Sequence, residues 1–428
     1  VSSGIVITGL GPAITLGFGK EAVWAGLQDA PPSLSTVQQI VSGEEWESYQ
    51  LAAVRDVDLE KGGISKQELA AMTLPAYNRD LHLFASAARI AVQDSGLKFE
   101  RERNRVGLVI SHENPGFDTY TSQIWTALEN QPENRSNLLE QIKAVYSQVE
   151  RAGYNTHSFV MLQQLTVLLQ AHGPALSVNN ACSSGMYALE TAAQWLRAGH
   201  ADAMVVVCGD SPRLIARYLW LKTAKTCAAD SVIRPFDKYR NGFVLGEGAG
   251  AVVIETEESA QKRGAHVYTR YLAGSFRSDA WKLSLPAVTP HLYEEALHEA
   301  IQNSGKKLAS IDLVVPHGAA TAIQDRYEAD GITRVFGKNQ KRPFVTALKP
   351  YVGHTLAGCS LIELILTLIG ISHNTVLPTL NWTTADDKLG LIPVQKHTSY
   401  KVNTWIKTAT GFGGFNAACV FEQPGVPT

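Results

Sequence analysis

Short apolar runs alternate along this chain with longer stretches whose apolar positions recur every three or four residues, a rhythm of strands and helices. Ile5-Val6-Ile7-Thr8 predicts a strand and Gly9-Leu10-Gly11-Pro12 a turn after it. Residues 20–28 and 65–96 read as helices, the second apolar enough from Leu81 to Val92 to lie on a core. Val106–Ser111 is strand-like and ends in the polar loop Ser111–Phe117, while 119–150 is helical in pattern but highly polar. Residues 157–170 are apolar nearly all round, which predicts a helix buried inside the subunit or against another. Pro174–Val178 reads as a short buried strand that turns sharply into a helix with Met186, Leu189, Ala193 and Leu196 on one face and Gly199 as its stop. Ala203–Cys208 is almost wholly apolar, as in a sheet covered on both faces.

The second half repeats this logic. A strand at Ala251–Glu255 gives way to the charged stretch Thr256–Gly264, a surface helix and a plausible boundary. Ile311–Val315 is a strand ending at Pro316-His317-Gly318. Phe344–Ala347 is another, running into Leu348-Lys349-Pro350-Tyr351-Val352-Gly353-His354 and then the apolar helix Leu361–Ile371. The strand–loop–helix around His354 is thus arranged like the one around Cys182, in pattern though not in residue identity. The expectation is a duplicated α/β unit, 1–255 and 256–428, with one site assembled between the halves.

Composition narrows the classes. A chain of 428 residues can bury a large core and is long for one domain. A formal charge of −2 and a pI near 6.7 argue against nucleic acid as a principal partner. Five cysteines without CxxC spacing fit a reducing compartment better than a disulfide framework. Glu363 interrupts the longest apolar stretch, so no membrane span is expected, and the opening strand shows no signal segment. These features predict a cytoplasmic protein. Gly9-Leu10-Gly11-Pro12 lacks the third glycine of a dinucleotide fingerprint.

Candidate chemistry centres on Cys182, within Asn180-Ala181-Cys182-Ser183-Ser184-Gly185. Sulfur at a helix N-terminus meets unpaired N–H groups and a dipole that favour the thiolate, the reactive form of a nucleophile; a small buried core residue is the alternative. His317 sits at a strand end with Asp325 and Glu328 beyond it. Lys349 precedes His354 in a loop that opens onto the helix bearing Glu363. Thr410-Gly411-Phe412-Gly413-Gly414-Phe415-Asn416 implies backbone close to a ligand, with amide donors available. Taken singly, each has an ordinary structural explanation. A zinc site built on the cysteine and two histidines lacks local spacing for further ligands, so no metal is expected.

Together, in order, Cys182-Ser183-Ser184-Gly185, His317-Gly318-x-x-Thr321, Lys349-x-x-x-Gly353-His354 and Gly411-Phe412-Gly413-Gly414 resemble the 3-oxoacyl-ACP synthases I and II, decarboxylating ketosynthases of the thiolase superfamily. Further matches lie at Ile7–Gly11, Arg234-Pro235-Phe236-Asp237 and Gly242–Gly250, and the resemblance spans nearly the whole chain. It implies a thiolase-like α/β fold in α-β-α-β-α layers, possession of a carrier-protein partner, and a dimer. It also implies roles. Cys182 would take an acyl group from a thioester. His317 and His354, as neutral imidazoles, would stabilise the enolate formed when a malonyl thioester loses CO2. The amides of Cys182 and Phe412 would form the oxyanion hole. Lys349 would hold His354 or polarise the site, with Glu363 as its ion-pair partner, and Thr321 would bond the phosphopantetheine arm. That arm arrives on the carrier protein, so no cofactor is implied. Phe412 would gate the acyl pocket, with Phe415, Gly413 and Gly414 beside it.

The departures from the family pattern cluster near the acyl tunnel. Ala319 replaces a usual Thr, Cys359 a small Gly or Ala, and Phe415 a Thr or Ser; the loop Ser111–Phe117 lacks its glycine run, and 119–170 does not match. They suggest a specialised polyketide or unusual fatty-acid pathway and a preference for unsaturated, aryl or polar acyl groups. A housekeeping fatty-acid synthase II and a heterodimer with a non-catalytic chain-length partner remain alternatives. Cys182 argues against the chain being that partner itself, and the two histidines argue against a Cys–His–Cys thiolase.

Overall fold

A computed structural model describes residues 4–28, 34–41, 44–57, 59–71, 78–98, 105–113, 116–130, 138–337 and 342–425. Its main strands are β1 (Ile5–Ile14), β2 (Val106–Ser111), β3 (Ala175–Ser177), β4 (Ala203–Asp210), β5 (Gly248–Thr256), β6 (Thr269–Ser278), β7 (Leu313–Val315), β8 (Phe344–Val345), β9 (Thr404–Gly411) and β10 (Phe415–Glu422). They lie in the spatial order β8-β7-β9-β10-β6-β1-β5-β4-β2-β3. Outward from the central β6–β1 pair, both directions read antiparallel, antiparallel, parallel, parallel. Each strand of β1–β5 therefore has a counterpart in β6–β10, a duplicated topology joined edge to edge at Ile5↔Tyr271, Val6↔Arg270 and Ile7↔Thr269.

The helices are α1 (Lys20–Gln28), α2 (Lys66–Ala71), α3 (Arg79–Ser95), α4 (Phe117–Glu129), α5 (Leu138–Tyr154), α6 (Ser158–Leu169), α7 (Ser184–Arg197), α8 (Ile215–Thr223), α9 (Glu257–Lys262), α10 (His291–Asn303), α11 (Ala322–Phe336), α12 (Lys349–Val352) and α13 (Cys359–Ser372). Period-two alternation along the strands sorts them into layers. On β4, Met204, Val206 and Cys208 pack with α7 and α13, whereas Ala203, Val205 and Val207 pack with α3 and α6. On β10, Ala417, Cys419 and Phe421 join the α7/α13 core, and Ala418 and Val420 face α10 and α11. The order is α3/α6, the β1–β5 half of the sheet, α7/α13, the β6–β10 half, α10/α11, the layering expected of the thiolase-like fold. Burial of α13 on every side explains its continuous apolar sequence.

Several local expectations need correction. Gly9-Leu10-Gly11-Pro12 is no turn: β1 continues to Ile14 with a register shift between Ile7 and Gly9. Its glycines admit α3, since a Cβ on Gly9 or Gly11 would stand 2.2 Å from the Ala91 carbonyl oxygen or 2.0 Å from that of Ala87. The stretch 65–96 forms two helices, the second capped by the Asn78 side chain accepting the Leu81 N–H at 3.1 Å; residues 72–77 lie outside the described residues. Residues 119–150 likewise form parts of α4 and α5, with 131–137 outside the described residues. β3 is at the edge of the sheet and is exposed rather than buried. α6 buries Val160, Met161, Leu165, Leu168 and Leu169 but turns Phe159 and Val167 outward, 54% and 48% exposed. Among the described residues no helix is long and apolar enough to cross a membrane.

Candidate active site

Cys182 stands at the elbow between β3 and α7. Ala181 before it holds φ +50°, a left-handed conformation that costs an L-residue about 1–2 kcal/mol. Ser184 secures the bend: its Oγ accepts the Asn180 N–H at 2.8 Å and donates to the Ala181 carbonyl at 2.6 Å. Gly411, at the end of β9, lies so close that a Cβ there would be 3.0 Å from the Asn180 oxygen and 3.1 Å from the Cys182 nitrogen. Phe412, the next residue, lines the same cavity as Cys182.

His317 follows β7. Its N–H and that of Gly318 each donate to one Glu328 carboxylate oxygen at 2.8 Å, so α11 fixes the backbone of the loop. His354 leaves α12 through Gly353, donates its N–H to the Val244 carbonyl at 2.8 Å, and packs against Phe243. One ring nitrogen of each histidine and the Cys182 Sγ all lie within 4.8 Å of one another. The Leu356 N–H donates to His354 Nδ1 at 3.1 Å, and the Lys349 ammonium lies 3.2 Å from His317 Nδ1. With Nδ1 accepting in both rings, the proton is assigned to Nε2. Burial first, and the Lys349 charge second, hold both histidines well below the usual imidazole range. They are neutral hydrogen-bond donors. A soft cation would need each ring to give up that proton.

Lys349 is fully buried, and its partner is His317 rather than His354: besides Nδ1, its ammonium donates to the His317 carbonyl at 2.7 Å. Glu363 pairs with it at 2.6 Å, as the resemblance implied, and pairs through its other oxygen with Lys407, also at 2.6 Å. Lys407 escaped the sequence reading. Its signal was a lysine on the inward face of β9 between Trp405 and Ala409, and it donates to the carbonyls of Pro316 at 3.2 Å and Thr408 at 2.9 Å.

Cys359 lies directly beneath Cys182, its thiol donating to the Cys182 carbonyl oxygen at 3.2 Å. The adjacent Cys359 sulfur first, and burial second, push the Cys182 thiol up. Only one charge can reside on so close a pair.

A cavity of about 380 Å³ opens onto Cys182, His317 and His354. Thr321 lines it, as do Phe412 and Ala319; the Thr321 hydroxyl also caps α11 by accepting the Gln324 N–H at 3.2 Å. Phe412 meets Trp220 edge to face at 5.4 Å. Phe415, Gly413 and Gly414 are not among the lining residues. The glycines make the tight β9–β10 turn at φ +86° and +76°, and Phe415 is directed to Tyr187 at 6.2 Å. Glu113, Arg217, Gln324 and Thr410 do line the cavity. Arg217 carried no motif; only its position four residues before buried Leu221 on α8 marked it.

The Cys182 thiol meets two buried histidines in one cavity at the seam of the duplicated fold. Residues 2–260 match the family Beta-ketoacyl synthase, N-terminal domain, and residues 269–383 match Beta-ketoacyl synthase, C-terminal domain; the chain belongs to the beta-ketoacyl synthase family. It is 28% identical to a Nodulation protein E of Rhizobium sp. (strain N33), over 98% of this chain and 99% of that one. It is 26% identical to the 3-oxoacyl-[acyl-carrier-protein] synthase 2 of Rhizobium meliloti (strain 1021), over 98% of each. Its fold matches a type II polyketide synthase acyl-carrier protein in complex with its ketosynthase bound to the hexaketide (TM-score 0.83, 19% identity, 99% and 100% covered). It also matches the ishigamide ketosynthase/chain length factor (TM-score 0.82, 22% identity, 99% and 100% covered).

Proposed function

We propose that this chain catalyses decarboxylative condensation of an acyl group with a malonyl group on acyl carrier protein. The observation that carries this reading is the meeting of the Cys182 thiol with two neutral imidazoles inside one cavity. In the first half-reaction Cys182 sulfur attacks the acyl thioester carbonyl and the pantetheine thiol leaves, taking up the proton that Cys182 gives. The Cys182 and Phe412 amides hold the oxyanion. In the second, a malonyl thioester loses CO2 while Nε2–H of His317 and His354 stabilise the enolate oxygen. The carbanion then attacks the acyl carbonyl on Cys182, forming a 3-oxoacyl thioester and freeing the thiolate.

Thr321, beside the histidines on the cavity wall, bonds the phosphopantetheine arm, which enters with the carrier protein; the reaction calls for no bound cofactor or metal. Ala319 offers no hydroxyl there. Cys359 hydrogen-bonds Cys182 and does not line the cavity, which sets this site apart from a Cys–His–Cys thiolase. The halves 1–255 and 256–428 act as one unit in the cytoplasm, where five free cysteines are at home. The exposed edge β3 and the outward Phe159 and Val167 of α6 give a dimer its natural seam, with an identical chain or with a chain-length partner. Incubation with acyl-ACP and malonyl-ACP tests the reaction. A 3-oxoacyl-ACP product and an acyl adduct on Cys182 are expected; malonyl-ACP consumption without condensation, by a Cys182 that never acylates, would overturn it.

A further inference from the structure

The condensation chemistry leaves two charged side chains of the cavity unused. Glu113, just beyond β2, and Arg217, on α8, line the same cavity as Cys182. Their carboxylate and guanidinium are 4.0 Å apart, and Arg217 is also 3.9 Å from Asp210. Asp210 fixes their setting: it accepts the Glu113 N–H at 3.0 Å and, through its other oxygen, the Ala357 N–H at 2.9 Å, three residues beyond His354. The exposed lining includes Lys225 beside the apolar Trp220, Leu285 and Ile323, and the buried lining sets Leu221, Phe243 and Leu356 beside Cys182, His317 and His354. Glu113 and Arg217 place an ion pair largely withdrawn from solvent against the apolar Leu221, Phe243 and Leu356 of the same cavity.

Such a pair penalises hydrocarbon. Methylene groups pressed against it would displace the water that solvates the charges and offer nothing in return. Hydroxyl, keto or amide oxygens along an acyl chain replace that water, because a guanidinium donates to oxygen and a carboxyl group accepts from O–H or N–H. We propose that Glu113 and Arg217 determine acyl specificity, and that they select acyl chains oxygenated along their length over saturated hydrocarbon chains of equal length. This rests on the ketosynthase reading and on no contact from Phe415.

The test uses the purified full chain and carrier-protein-bound acyl groups matched in length: saturated, mid-chain hydroxy and mid-chain keto. Acylation of Cys182 is followed by intact mass. The wild type should load oxygenated chains roughly tenfold or more faster than saturated ones, the scale of a hydrogen bond to a charged group. Glu113→Leu should collapse that ratio toward one, while Glu113→Gln, which keeps shape and hydrogen bonding, should retain most of it. The ratio within one protein sample is independent of how much of that sample is folded. Equal loading of saturated and oxygenated chains by the wild type would overturn the proposal, as would an unchanged ratio in Glu113→Leu. If Cys182 alkylates with iodoacetamide yet no acyl group of any kind loads, the ketosynthase reading itself fails.

Discussion

The ammonium of Lys349 touches His317 at two points, 3.2 Å from its Nδ1 and 2.7 Å from its carbonyl oxygen. This grip both orients the ring and excludes a proton from Nδ1. Lys349→Met should therefore slow CO2 release from malonyl-ACP by about 10²–10³, the worth of one misplaced donor in a preorganised site. The acid limb of the residual activity should move to higher pH. Burial still depresses the His317 pKa in the variant, but the second cause of that depression is gone. A rate and pH profile equal to the wild type would remove Lys349 from the mechanism.

Reactivity of the thiols offers a second check. Limiting iodoacetamide should give one dominant adduct at Cys182, since Cys208, Cys359 and Cys419 are buried away from the cavity, and condensation should be lost in step. The neighbouring Cys359 sulfur is the leading cause of the raised Cys182 pKa, so Cys359→Ala should shift the pH dependence of alkylation to lower pH. Dominant labelling of Cys227 with activity retained would end the nucleophile assignment.

The half-reactions should separate genetically. Cys182→Ala should abolish acyl loading yet retain decarboxylation, since the proposed mechanism gives enolate stabilisation to His317 and His354. Alanine at either histidine should lower CO2 release by about 10²–10⁴. Normal release from the double-histidine variant would refute the assignment.

Stability should carry the signature of Glu328. Burial raises its pKa to about 7 despite the two backbone N–H groups it accepts. The folded state therefore binds more protons than the unfolded state between the ordinary carboxylate range and pH 7. Stability from this group is full below that range and is lost as pH rises toward and through 7. Glu328→Gln removes the effect, so from pH 4.5 to 8 the wild type should lose roughly 3 kcal/mol more than the variant in urea unfolding. Buried His317 and His354 act in the opposite sense, losing stability as pH falls below the ordinary imidazole range, and largely cancel in the comparison. Parallel pH curves for the two proteins would contradict a protonated Glu328.

Local sequence carried much of this architecture. Continuous apolar runs marked β4 and α13 because both are covered on every side, and the strand–turn–helix patterns around Cys182 and His354 marked the corresponding positions of the duplicated fold. Motif order was enough to single out Cys182, His317, His354, Lys349 and Glu363, which the fold brings together. Glycines were harder. Gly9 and Gly11 resemble a turn in one dimension, and only the approach of α3, distant in sequence, shows why side chains are excluded there.

What sequence alone determined was most of the elements and the loop that bears each motif residue. Partnership was decided by tertiary structure. Lys349 serves His317, 32 positions away, and not the neighbouring His354; Lys407 enters from β9 to share Glu363; Cys359 rises beneath Cys182 from 177 positions away. Phe415, three residues beyond Phe412 in sequence, turns out of the cavity, while Glu113 and Arg217 converge on it from separate elements. The physical reason is common to all of them. A strand or helix dictates which face a side chain leaves by, but the depth of a charge, the partner that neutralises it and the space before it depend on elements packed from elsewhere in the chain.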